Sequence, residues 1–192
     1  MEYQGTWREI WEQKGQMEGT TSDLYIYDGW EKSKADVEIT AKKIIEELDI
    51  QTGDKVLEVG CGAGALGQYM KCQYVGIDYS KSLIKRHLEF FNHSVLWAEA
   101  DDLPFKDNYF DKCFSWGVFL YFESDEYAQK AISEMMRVTK QGILIGELPV
   151  VSHDEKHHLY KKEMFHDWRI QDAWTEQYKG KRFIVTWKRD LE

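Results

Sequence analysis

The chain predicts an α/β fold: a doubly wound, mostly parallel sheet of seven strands, ending in a C-terminal antiparallel hairpin and preceded by an N-terminal helical segment. Three observations predict it. From about residue 34, short apolar runs alternate with amphipathic helical patterns, and parallel strands need such crossover helices between them. The first apolar run ends in the glycine-rich loop "GCGAG". The tail then changes character, with "DWRIQDAWTEQY" and "KRFIVTWKRD" flanking "KGK" and no long helix between them, as in a hairpin.

Each element has a local reason. "YQGTWREIWEQKG" puts Tyr3, Trp7 and Trp11 at helical spacing, with Tyr25, Tyr27 and Trp30 clustered behind them. "SKADVEITAKKIIEEL" opens with Ser33 three residues before Asp36, a capping arrangement, and aligns Val37, Ala41, Ile44, Ile45 and Leu48 on one face. "DKVLEVG" reads as the first strand, "ALGQYMK" as a helix and "QYVGID" as the second strand. Ser80 caps "KSLIKRHLEFF", where Leu83, Ile84, His87, Leu88 and Phe91 share a face. "HSVLWAEA" and "YFDKCFSWGV" are strands three and four, and Ser124 caps a helix that carries Ala131, Met135 and Val138 inward. "QGILIGEL" is strand five, and the hairpin supplies the last two.

Composition limits the function classes. With 192 residues and 43% hydrophobic content the chain reads as one domain, 1–192, with a core over 34–192 and a separate segment at 1–30. A net charge of -9 disfavours general attraction to nucleic acid or anionic lipid. Cys61, Cys72 and Cys113 form no C-x-x-C pair and leave an odd count, which suits a reducing compartment. The densest apolar stretches are too short to span a bilayer, and no targeting leader is read at the N-terminus. The expectation is a soluble cytoplasmic protein without nucleic-acid or membrane partners. Oligomeric state is left open.

The loop in "VLEVGCGAGALG" overlays two glycine fingerprints. Gly60, Gly62 and Gly64 give G-x-G-x-G; Gly62, Gly64 and Gly67 give G-x-G-x-x-G, the spacing of dinucleotide turns. Asp78, at the end of the second strand, suits the two hydroxyls of a ribose under either reading. Glu58 discriminates better, because an unpaired carboxylate at a buried strand end is costly.

Downstream, "AEADDLPFKDNYFDKCFSWG" joins "VLEVGCGAG" and "VGIDYS" in a pattern that resembles the class I S-adenosylmethionine (SAM)-dependent methyltransferases of small-molecule type, with Leu103-Pro104-Phe105, Phe110-Asp111, Glu134, Arg137, Val138 and Gly142 in register. The resemblance runs from about residue 50 to 148. It implies a Rossmann-like fold with an N-terminal helical cap over the SAM pocket, and methyl transfer by in-line displacement to a small-molecule acceptor. It implies that Glu58, Gly60, Cys61, Gly62 and Gly64 line the methionine end of SAM and that Asp78 holds the ribose. Tyr79 would flank the adenine, with Ser80 beside it. Glu99 and Ala100 would read the adenine edge, and Ser115 and Trp116 would lie beside the reactive methyl. Glu99 departs from the usual aspartate by one methylene, and "KQG" replaces a Pro-Gly-Gly turn.

The catalytic candidates are Glu147, at the end of the fifth strand, His153 after it, and Tyr121, which stands where many relatives carry histidine. His153 and His157 are spaced one helical turn apart, yet no thiolate or tight ligand set accompanies them, so no metal is expected. Two rival readings remain: an NAD(P)-dependent oxidoreductase using Gly62, Gly64 and Gly67, and a SAM-binding module without turnover.

Overall fold

The computed structural model describes residues 5–30, 34–151 and 154–189. Seven strands form one sheet in the order β3-β2-β1-β4-β5-β7-β6. They are β1 (Lys55–Val59), β2 (Gln73–Asp78), β3 (Ser94–Trp97), β4 (Phe110–Trp116), β5 (Thr139–Pro149), β6 (Arg169–Asp172) and β7 (Arg182–Lys188). The first five pair in parallel, whereas β7 runs antiparallel to both β5 and β6. Strand order reverses between β1 and β4, which opens a crevice at their carboxyl ends, the usual ligand position in such sheets.

The helices are α1 (Trp7–Gln16), α2 (Leu24–Tyr27), α3 (Lys34–Leu48), α4 (Lys81–Phe90) and α5 (Asp125–Val138). Side chains alternate across each strand. Val56, Phe114, Leu144 and Ile184 therefore meet α1, α3 and α4 on one face, where Trp11, Val37, Ala41, Ile44, Leu48 and Leu83 are buried. Leu57, Cys113, Ile143 and Val185 face the other way, onto Ala131, Met135 and Val138 of α5. The doubly wound expectation holds. Ser33, the expected cap of α3, lies outside the described residues, as does Tyr3 of the aromatic stripe.

Three local expectations differ. The stretch read as a helix after β1 contains only one 3-10 turn, Gly67–Tyr69. Gly67 lies against the Tyr74 ring, and a Cβ there would fall 2.8 Å from it, so the chain turns tightly back into β2. Leu88, placed on the apolar face of α4, is 55% exposed. The expected hairpin turn at "KGK" is instead a longer excursion between β6 and β7, drawn out where Trp174 stacks on Trp116 at 4.8 Å.

The N-terminal segment is built into this body. Thr6 and Glu9 form a reciprocal capping box at the start of α1. Ile10, Trp11, Leu24 and Tyr27 are buried.

Candidate functional site

A cleft of about 640 Å³, partly open to solvent, lies at the carboxyl ends of β1, β2 and β4. The glycine loop forms its floor. Gly60 N–H and Cys61 N–H both donate to the Ile77 carbonyl (2.8 and 2.9 Å), which ties the loop to the neighbouring strand. Gly60 has φ +80°, and a Cβ there would meet Val118 at 2.3 Å, so the loop runs directly under the segment that follows β4.

Asp78 closes the loop from the side. Gly62 N–H donates to its Oδ2 (2.9 Å) and Ser80 N–H to its Oδ1 (2.8 Å). Burial pushes this carboxyl up to about 6 against those two bonds. Each oxygen carries one of these backbone bonds and keeps acceptor capacity for a further partner. Glu58, at 3% exposure, accepts from the Tyr74 hydroxyl at 2.5 Å. Burial raises its carboxyl well above the ordinary range, with Asp28 and Asp78 adding like charge.

Beneath the loop, His87 sets a second layer. The Gly62 carbonyl accepts from His87 Nδ1 (3.1 Å), which leaves Nε2 to accept from His93 Nδ1 (2.9 Å). Burial lowers His87 to about 4, so the ring is neutral.

On the opposite wall stand Trp11, Trp30, Trp116, Val118, Tyr121 and Phe122. Tyr121 packs edge-on to Trp7 (4.6 Å) and Trp11 (5.0 Å), so α1 and the segment after β4 hold one another.

Of the residues singled out in the sequence, Trp11, Trp30, Glu58, Gly60, Cys61, Gly62, Asp78, Tyr79, Trp116 and Tyr121 line the cleft. Others do not. Gly64 backs onto His87 and Phe91. Ser80 is buried, caps α4 by accepting from Leu83 N–H, and donates to Glu12. Ser115 is buried and donates to the Val59 carbonyl (2.8 Å). Ala100 is buried. Both oxygens of Glu99 accept from Arg8 (2.9 and 2.6 Å), and one also accepts from the Tyr127 hydroxyl. The Arg8 guanidinium also lies over the Tyr79 ring at 4.7 Å.

Glu147 is buried with φ +64° and accepts from Arg182 Nη1 at 2.5 Å. Burial raises its carboxyl although Arg182 opposes the shift. His153 lies outside the described residues. Among the described residues no group of three His, Cys, Asp or Glu side chains is placed to share a metal ion. Likewise, no helix there is long and apolar enough to cross a membrane.

The sequence reading missed Asp28, Tyr74, His87 and His93 as site residues. The turn signal "DG" at 28–29 marks where Asp28 sits, yet nothing local shows which loop its carboxylate meets. His87 was assigned only to an apolar helix face; a polar ring on that face is itself a signal of a buried hydrogen bond.

Residues 57–145 match the methyltransferase domain family. Among curated proteins the chain is similar to the tRNA (carboxymethyluridine(34)-5-O)-methyltransferase of Arabidopsis thaliana, at 34% identity over 94 residues, 48% of this chain and 23% of that protein. It is also similar to the ubiquinone/menaquinone biosynthesis C-methyltransferase of Francisella philomiragia, at 34% identity over 118 residues, 54% and 46% of the two chains. The matched stretches span less than half of either relative. Its fold is shared with the magnesium protoporphyrin IX methyltransferase of Synechocystis solved with bound SAM, at TM-score 0.62 and 14% identity over 94% of this chain and 90% of that one.

Proposed function

We propose that the chain transfers a methyl group from SAM to a small-molecule acceptor, a reading in keeping with the match of residues 57–145 to the methyltransferase domain family. The observation that carries the proposal is Asp78 joined to the glycine loop at the strand-order reversal. Its oxygens retain acceptor capacity for the ribose hydroxyls. The cleft's charged lining residues are Asp28, Glu58 and Asp78, all carboxylates. That balance suits a ligand bearing an ammonium and a sulfonium. Gly67, which the NAD reading needs in the ligand loop, faces the Tyr74 ring instead.

SAM bound there would supply an electrophilic methyl carbon on its sulfonium. The chain's part is to hold donor and acceptor in line and to exclude water. Trp11, Trp30, Trp116 and Tyr121 supply the dry wall, where an aromatic face adds about 0.5–2 kcal/mol toward a cation. An acceptor that loses its proton before or after the displacement needs no dedicated base. Of the three sequence candidates, only Tyr121 lines the cleft among the described residues.

A small-molecule acceptor is supported by the net charge of -9, which disfavours a phosphate backbone. Labelled SAM supplied with metabolite fractions, tRNA and DNA tests this. Label should appear in a metabolite fraction. Steady incorporation into tRNA would overturn the acceptor class, and SAM binding without turnover on any fraction would leave a binding module.

A further inference from the structure

We propose that Asp28 is a positioning residue for the donor site: its carboxylate, brought in by the N-terminal segment, holds the N–H groups of Ala63 and Ala65 and fixes the glycine loop in the shape that admits SAM. The inference rests on the SAM reading of the cleft, and it makes the donor site complete only when residues 7–30 are docked.

The geometry is specific. Ala63 N–H donates to Asp28 Oδ1 at 2.5 Å and Ala65 N–H to Oδ2 at 2.7 Å. One carboxylate thus bridges two amides on either side of Gly64. Gly62 has φ +51°, and a Cβ there would lie 2.2 Å from Asp28 Oδ1. The glycine therefore makes room for a carboxylate of this same chain. Between the loop and β2 the described chain forms one 3-10 turn, Gly67–Tyr69, so the loop amides lack the multi-turn helix that usually orders them. Asp28 takes that place from outside. Its own position is set by a closed turn, in which Trp30 N–H donates to the Tyr25 carbonyl (2.7 Å) and Gly29 adopts φ +74°. Buried Leu24 and Tyr27 anchor that turn.

The remaining sides of the loop are already held, by the Ile77 carbonyl, by Asp78 and by His87. Without Asp28 the amides of Ala63 and Ala65 lose the partner they have among the described residues, and the loop between them loses its outer hold. The titratable groups facing Asp28 are Glu58, Cys61, Tyr74 and Asp78 around the loop and Lys14 beside Gly29. Desolvation pushes the Asp28 carboxyl up to about 7, so protonation near neutral pH turns one accepting oxygen into a donor facing an N–H.

Two measurements test this. In the ligand-free parent, the amide protons of Ala63 and Ala65 should titrate together with a midpoint near 7, separately from Gly62 and Ser80, which report Asp78. The titration should vanish in Asp28→Asn, whose SAM affinity should fall at least tenfold by calorimetry while its melting temperature stays within a few degrees. Flat amide titrations in the parent would overturn the clamp, even if the variant does not fold. So would a variant that binds SAM as tightly as the parent or more tightly, because the carboxylate would then be an obstruction. A parent that binds no SAM at all sinks the donor reading instead, and the amides still decide whether the clamp exists.

Discussion

On the β1–β2 side of the cleft, Glu58, Asp78 and His87 find their hydrogen-bond partners 16 to 25 positions away in sequence. On the β4–β5–β7 side the corresponding contacts join Glu147 to Arg182, Trp116 to Trp174 and Trp7 to Tyr121. Those contacts bridge separate elements and both ends of the chain. Apart from the Asp28 bonds to Ala63 and Ala65, the β1–β2 side is thus one local unit, strand–loop–strand. The β4–β5–β7 side is assembled from afar, and its side chains hold the assembly together as well as lining or backing the cleft. Substitutions should then separate: loss of ligand affinity on the first side, loss of stability on the second.

Glu147→Gln should give the largest effect. It leaves the Arg182 guanidinium in a buried site without its counter-charge, and breaking a buried pair this way costs about 3–5 kcal/mol. Thermal melting should register that loss, while SAM affinity in the surviving folded protein stays within about twofold. Should the variant melt like the parent and instead lose one limb of its turnover pH profile, Glu147 is a base and the contrast between the two sides breaks.

Asp78→Ala should do the reverse. Each lost charge-assisted bond to the ligand is worth about 1.5–3 kcal/mol, or roughly tenfold to a hundredfold in affinity. The melting transition should remain cooperative. Its pH dependence sharpens the point. A folded carboxyl raised to about 6 from an ordinary 3.8 contributes stability that is present below that ordinary value and lost as pH rises through 6. The parent's stability should therefore fall between about pH 4 and 6 by an amount that the variant lacks. A variant that binds SAM undiminished removes Asp78 from the donor site.

The same division decides what was legible in the sequence. Strand–loop–strand "VLEVGCGAG…VGID" was readable because period-two burial, glycine and a terminal carboxylate follow one another within 23 residues of chain. Glu58 stands out in the sequence for the cost of burying it, and its partner Tyr74 sits one strand over, at a register a sequence does not print. The helix expected over "ALGQYMK" failed because its period was right and its length too short: a single turn nucleates poorly, and Gly67 packs on Tyr74. Family position alone points Glu99 at the adenine, yet its carboxylate is occupied by Arg8, 91 residues earlier. No local pattern carries that pairing.

Arg8→Ala is the smallest and the most searching perturbation, because this pair joins the N-terminal segment to the end of β3. The Arg8 and Glu99 side chains are 51% and 35% exposed, so their bridge is worth about 0.2–1 kcal/mol and should weaken in high salt. The rest of α1 is held by Trp11 and Ile10 in the core and by Ser80 and Ser82 on Glu12. The variant should therefore melt within about 2–4 °C of the parent for each kcal/mol lost. SAM affinity should move less than threefold, since the loop and Asp78 keep their own bonds. A tenfold loss in this variant would mean that docking of the N-terminal segment, and with it the Asp28 hold on the loop, depends on the Arg8 pair. The β1–β2 side would then hang on an exposed ion pair as much as on its own backbone bonds, and the distinction between the two sides would rest on Asp78 alone.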